Sequence, residues 1–153
     1  MTTIVIAATD GGTARRVQLE SVRGDVLDIS LNGDDPAWLM PTLDRCAQLL
    51  QLSDNWNSYG ARSIEPSAVA AAIELLLQVM NPGTPPPLVI PTNRGSVNLE
   101  WHTQGMDVEV KDIESGRVYL YVEDQRGDHE WDGELRSDVQ PLVSVLAELA
   151  ARV

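Results

Sequence analysis

The sequence has little positive charge. Of its 153 residues, 11 are Lys or Arg and 23 are Asp or Glu, so the formal net charge is −12. Proteins that bind the phosphate backbone of nucleic acids need a clustered positive surface. We therefore expect no direct nucleic-acid partner, and we expect any charged partner to be basic.

Cysteine is almost absent as well. Cys46 is the only one, which excludes an intrachain disulfide and a zinc site built from several cysteines. Its place on the apolar side of a predicted helix favours a small core residue. The N-terminus lacks the basic segment of a signal peptide, and no apolar run is long enough to span a bilayer. These absences predict a cytoplasmic protein with no membrane partner.

The apolar residues that are present recur with periods that predict an α+β fold. Residues 1–35 contain three strand-like segments and are expected to form an N-terminal β arm or the first strands of the sheet. Residues 36–153 are expected to form an α+β domain. Its two central helices are predicted from about Thr42, after Pro41, and from Glu65–Pro66 to about Met80. A third helix is predicted after a cap at Asp138 or Ser137, with Pro141 within its first turn.

Between the second and third helices, short segments alternate polar and apolar residues, as strands with one buried face do. The connectors at Gly105 and Gly116 are typical of tight hairpins. The sequence therefore predicts an antiparallel β-meander packed against the two central helices and the C-terminal helix. Its buried face is predicted to carry Val97, Leu99, Trp101, Met106, Val108 and Val110.

The polar face of this meander is rich in acidic residues. If a four-residue loop joins the first two long strands, cross-strand neighbours follow directly. They are Glu100 and Asp107, Asn98 and Glu109, Tyr121 and Glu109, and Glu123 and Asp107. Glu100, Asp107 and Glu123 are then predicted to form a row of carboxylates across three strands, although like charges in such positions are destabilising.

Three interpretations of this row remain open. The acids can simply decorate a solvated face, or hold a divalent metal through their oxygen atoms. They can also form a docking surface for a basic partner, with tyrosines as anchors. The residues predicted to bind that partner are Glu100, Asp107, Glu109, Tyr119, Tyr121 and Glu123.

The metal interpretation has an enzymatic version. Glu109 and Lys111 form an E-x-K triplet, which some metal-dependent nucleases combine with an upstream carboxylate. Glu100, Asp107 and Glu109 would then hold the metal, and Lys111 would stabilise developing charge. Such a short triplet also arises by chance, and the negative charge of the chain opposes a nucleic-acid substrate.

Other candidate sites have weaker support. The segment that begins at Asp128 resembles a calcium loop, but Val139 stands where a bidentate Glu is required. The segment is better interpreted as a strand that carries Trp131 inward. His102 and His129 lack a second His or Cys at ligand spacing, so both are interpreted as surface residues. No metal site and no cofactor are predicted.

A polar, turn-rich segment lies between the two central helices. Trp56 and Tyr59 are predicted to plug this loop against the sheet, because aromatic side chains dominate small cores. Gly60 is predicted to allow a positive φ. A ligand platform built on the two aromatic rings is the alternative.

Two strings carry a resemblance to a family. Residues 55–61 read N-W-N-S-Y-G-A, and residues 99–101 read L-E-W before an acidic hairpin. They resemble a family of small uncharacterised bacterial proteins that have an N-W-D-x-Y-G-A loop and an L-E-W strand. The likeness covers about residues 43–150, and Asn57 replaces the usual Asp. The resemblance implies no established activity.

The sequence therefore favours a small, acidic, non-enzymatic interaction module of the antitoxin, immunity or inhibitor type. It is expected to bind a basic protein through the acidic sheet face. A homodimer that pairs through the N-terminal strands is a further expectation. The alternative is a metal-dependent, nuclease-like enzyme that uses Glu100, Asp107, Glu109 and Lys111.

Overall fold

The computed structural model describes residues 2–7, 15–33, 35–114, 117–127 and 129–153. It confirms the α+β class, with three helices and eight strands in two sheets among those residues. The first sheet is N-terminal and contains β1 (Thr3–Ala7), β2 (Arg15–Glu20) and β3 (Val26–Leu31). β3 is central, parallel to β1 and antiparallel to β2. The N-terminal strands thus form a sheet of their own.

Two helices follow, α1 (Leu39–Leu50) and α2 (Pro66–Val79). The predicted start of α1 near Thr42 is wrong, because Pro41 lies inside its first turn. Proline is tolerated there, since the first backbone N–H groups of a helix have no intrahelical partner. The predicted start of α2 is confirmed, with Pro66 as the first helical residue.

The second sheet is the predicted meander. It consists of β4 (Leu88–Pro91), β5 (Val97–Thr103), β6 (Met106–Glu114), β7 (Arg117–Asp124) and β8 (His129–Leu135). The strands lie side by side in chain order, and every neighbouring pair is antiparallel. The segment that resembles a calcium loop forms strand β8, which confirms its interpretation as a strand. Asp128 itself lies outside the described residues.

The helices form a layer between the two sheets. α2 contacts β1 and β3 on one side and β5 and β6 on the other, while α1 contacts β2 and β4. The predicted buried face of the meander is confirmed, since its apolar side chains are almost fully excluded from solvent. Burial of this apolar area makes the largest favourable contribution to the free energy of folding.

The C-terminal helix, α3 (Gln140–Arg152), packs beside α2 and buries Leu142, Leu146 and Leu149. Arg152 links the C-terminal end of α3 to the five-stranded sheet. The guanidinium donates to both carboxylate oxygens of Asp124, at 3.0 and 2.6 Å, and to the carbonyl oxygen of Gln104. Among the described residues, no helix is long and apolar enough to cross a membrane.

Candidate functional site

The candidate site is the face of the five-stranded sheet that points away from the helices. Buried and partly exposed residues alternate along β5 and β6, because successive side chains of a strand point to opposite faces. We call the exposed side the open face. Among the side chains that the structure describes on β5 to β8, its charged and tyrosine members are Glu100, His102, Asp107, Glu109, Lys111, Tyr119, Tyr121, Glu123, Glu130, Asp132 and Glu134.

The strand register arranges these side chains in rows across the sheet. One row contains Glu100, Glu109, Tyr121 and Asp132. The next row contains His102, Asp107, Glu123 and Glu130. The predicted neighbours Tyr121 and Glu109, and Glu123 and Asp107, are confirmed.

The predicted register between β5 and β6 is wrong by two residues. Glu100 lies opposite Glu109 and not opposite Asp107, so Asn98 does not lie opposite Glu109 either. His102 takes the place beside Asp107. The predicted row of Glu100, Asp107 and Glu123 is therefore wrong, although all three carboxylates do lie on the open face.

The error comes from the length of the hairpin loop. Thr103 pairs with Met106, which leaves only Gln104 and Gly105 in the turn. Both have a positive φ, of 55° and 71°, as both central residues of a type I′ turn do. A shift of two residues preserves the face of every side chain, because the alternation along a strand has a period of two.

His102 is held between two carboxylates. Its Nδ1 lies 2.7 Å from Asp107 Oδ1, and its Nε2 lies 3.1 Å from Glu100 Oε1. Both partners are acceptors, so the ring can donate to both only when it is protonated. The hydrogen bonds to Asp107 and then to Glu100 raise the pKa of His102 above its usual value. The interpretation of His102 as an ordinary surface residue misses this role.

Lys111 and the two tyrosines are also bound to acids. Lys111 Nζ lies 3.0 Å from Glu109 Oε2 and 5.4 Å from the centre of the Tyr121 ring. Tyr121 donates to Glu123 at 3.0 Å, and Tyr119 donates to Asp132 at 2.9 Å. The bond to Glu123 raises the pKa of Tyr121 to about 12. The phenols therefore remain donors near neutral pH.

One group on the open face has the composition of a metal site. Ligand atoms of Glu100, His102 and Glu109 lie within 4.8 Å of one another. Carboxylate and imidazole donors suit zinc and other transition metals. Asp107, predicted as a metal ligand in the enzymatic interpretation, binds His102 instead, and Lys111 forms an ion pair with Glu109.

The loop between α1 and α2 differs from its prediction. Tyr59 does not plug the loop, since it is 90% exposed. The reason is local: the side chains of Asn55 and Asn57 accept hydrogen bonds from backbone N–H groups of the loop and point its tip outward. Trp56 is half-buried and donates to the carbonyl oxygen of Arg62 at 3.0 Å. Gly60 has the predicted positive φ, at 82°.

Sequence reasoning missed four residues of the open face. They are His102, Glu130, Asp132 and Glu134. The signal was present in the alternation: His102 follows Glu100 by two residues, and the three acids alternate with Trp131, Gly133 and Leu135. Cys46 is a buried core residue as predicted, and burial raises the pKa of its thiol to about 12. The side chain of His129 lies outside the described residues.

Comparison of the chain with protein-family models, with curated proteins and with solved structures gives no match. The resemblance to the bacterial family with the N-W-D-x-Y-G-A loop therefore stays a prediction. Any functional conclusion rests on the residues of this chain.

Proposed function

We propose that this protein is a non-enzymatic interaction module of the antitoxin, immunity or inhibitor type, which binds a basic protein partner through the open face. Recognition would be electrostatic, with tyrosines as anchors. The partner-binding residues are Glu100, Asp107, Glu109, Tyr119, Tyr121 and Glu123.

The charge imbalance of the open face carries the proposal. Acidic side chains come from four neighbouring strands, whereas the cationic side chains described on these strands of the face are Lys111 and His102. Arg94, in the loop before β5, lines the same cavity as Lys111 and Tyr119. All three cations already contact carboxylates. Like charges on neighbouring strands destabilise a sheet, so the free protein is less stable for having this face. A basic partner would remove the repulsion on binding.

The position of the tyrosines supports the same function. Tyr119 is 44% exposed, and its hydroxyl is fixed by Asp132. Tyrosine offers a large contact area with few rotatable bonds, which is why it is enriched in energetically important contacts. An acidic face also steers a basic partner and raises the association rate, an effect that salt screens.

Two variants with equal changes of charge test the proposal. The first neutralises the open face through Glu100→Gln, Asp107→Asn and Glu123→Gln. The control neutralises three exposed acids of other elements, through Glu20→Gln, Asp44→Asn and Glu74→Gln. The tagged chain is used to purify a partner, and its affinity is then measured by calorimetry at low and high salt.

The open-face variant is expected to bind at least about tenfold more weakly, or about 1.4 kcal/mol, and to lose most of the salt dependence. The control variant is expected to bind like the parent. If both variants bind as tightly as the parent protein, the open face is not the interface.

Metal binding is a second candidate function, favoured by the orientation of His102. Asp107 binds one ring nitrogen, and the other nitrogen faces Glu100. Histidine ligands of metals are commonly oriented by a carboxylate in this way. Bound metal is also the first requirement of the nuclease-like alternative that uses Glu100, Asp107, Glu109 and Lys111.

Thermal unfolding with millimolar Zn²⁺, Mn²⁺ or Mg²⁺ tests this candidate. A ligand that binds only the native state raises the melting temperature with concentration. The rise should disappear in His102→Gln and persist in Glu134→Gln, which changes an open-face acid outside the metal group. An unchanged melting temperature with all three metals would contradict both metal binding and the enzyme.

A further inference from the structure

β8 is an open edge of the five-stranded sheet. It pairs with β7 on one side, and no strand among the described residues pairs with its other side. Such an edge carries backbone donors and acceptors that another extended chain can use. The opposite edge is less suitable: β4 contains Pro91, and the carbonyl oxygen of Val89 already accepts a hydrogen bond from Arg45.

The two sides of β8 differ in chemistry. Glu130, Asp132 and Glu134 lie opposite Glu123, Tyr121 and Tyr119, and therefore belong to the open face. Trp131 lies opposite Val122 and faces the helices. In a pair of β8 strands the acids of both copies would come together, which is destabilising. The edge therefore opposes a second copy of this chain and favours a basic strand.

An apolar groove continues this edge on the helix side. It lies between β8 and α3, and its lining residues are Val122, Trp131, Pro141, Ser144, Val145 and Glu148. Trp131 is 37% exposed there, although most large apolar side chains of the sheet are buried. A strand added beside β8 would place every second side chain next to this groove.

We infer that β8 accepts an extended segment of the basic partner as an additional strand. Lysine or arginine side chains of the segment face Glu130, Asp132 and Glu134, and the alternate side chains are apolar and contact Trp131 in the groove. Backbone hydrogen bonds supply affinity, and the two alternating sets supply specificity. This inference rests on the proposed function and specifies how the partner is held.

Synthetic peptides test the inference. The probe has seven residues, as many as β8, and alternates arginine and valine. One control has the same composition with the arginines grouped together, and a second has N-methyl groups that block one edge of its backbone. Binding is measured by calorimetry, and amide hydrogen exchange by NMR reports which N–H groups of β8 become protected.

Two variants of α3 distinguish the contribution of the groove to peptide binding from the contribution of the charge on the open face. Ser144→Arg fills the groove from an exposed position, and Ala147→Arg places the same side chain at an exposed position outside the lining. Both leave the core unchanged. The alternating peptide should bind Ser144→Arg at least about tenfold more weakly than Ala147→Arg.

The inference is supported if the alternating peptide binds at least about tenfold more tightly than both controls and protects the outward amides of β8. If all three peptides bind equally and no amide of β8 is protected, strand addition is wrong, while recognition of basic proteins by the open face stands. If no peptide binds, strand addition is also wrong. The proposed function is judged separately by the open-face variant.

Discussion

The two faces of the five-stranded sheet are built from the same strands, but one face is apolar and buried and the other is polar and meets solvent. On the inner face, Leu120 and Val108 are completely buried against the helices. On the open face, their neighbours Tyr121 and Asp107 meet solvent and other polar groups. A step of one residue along a strand changes the face, so the apolar side chains that drive folding and the charged side chains that meet solvent lie on opposite sides of the same sheet.

The carboxylates of the two faces differ in their surroundings. Asp124 follows the alternation of the inner face, and it is bound by Arg152 through both carboxylate oxygens. Glu123, one residue earlier, lies between Asp107 and Glu130 in a row of like charges. A carboxylate near the core needs a partner because burial penalises charge. On the open face water solvates the carboxylates, so several of them can lie next to one another, though at some loss of stability.

The largest expected difference in the free energy of unfolding is between variants of two adjacent residues of β7. Leu120→Ala should lower the free energy of unfolding by about 2–5 kcal/mol, because it leaves a cavity in the core. Tyr119→Ala, on the open face, should lower it by less than about 1 kcal/mol. Urea denaturation of both variants measures the difference. Similar losses would show that the open face contributes to stability as much as the inner face.

An intermediate effect is expected from the ion pair at the end of α3. The hydrogen bonds from Arg152, together with backbone N–H groups of Gly127 and Arg126, lower the pKa of Asp124 from 3.8 to about 2. A carboxylate whose pKa is lowered by folding stabilises the native state above its unfolded pKa, and the contribution is lost as the pH falls through the folded value. Arg152→Gln should therefore be less stable than the parent at neutral pH, and the difference should shrink between about pH 4 and pH 2.

Urea denaturation at several pH values between neutral and acid measures this change. Gln140→Ala, at the other end of α3, provides a control in which the ion pair is intact. Arg152 also pairs with Glu148. If the difference between Arg152→Gln and the parent protein stays constant as the pH falls, Arg152 acts through neither Asp124 nor Glu148.

The smallest expected effect is a gain. Glu130→Gln should raise stability by about 0.2–1 kcal/mol, because Glu130 lies directly opposite Glu123. Glu134→Gln should change stability less, since Tyr119 is its neighbour across the strands. High salt should reduce the gain by screening the repulsion. A loss of stability in Glu130→Gln would show that the acids of β8 serve the fold.

The fold was predictable where apolar residues recur with a clear period. The strands of the meander and α2 follow directly from their patterns, since burial of one side fixes both the element and its orientation. The start of α1 was not predictable in this way. Pro41 is compatible with the first turn of a helix or with the residue before one, and only packing of Leu39 in the core decides between them.

The membership of the candidate site was predictable in part, and its arrangement was not. Glu100, Asp107, Glu109 and Glu123 lie on one face as their spacing required. Their order across the strands depends on whether the hairpin loop has two or four residues, and both choices satisfy the same alternation. The exposure of Tyr59 could not be predicted from the sequence either, because it results from side-chain hydrogen bonds within the loop.

The sequence by itself determined the acidic balance, the α+β class and the division of each meander strand into an apolar and a polar side. These properties are local, because they follow from composition and from the spacing of residues along one segment. Only the tertiary structure decided which side chains meet. It placed His102 between Glu100 and Asp107, left β8 at the edge of the sheet and exposed Trp131 beside α3. Such contacts join segments far apart in the chain, and the packing of the whole molecule selects among the registers that each segment allows.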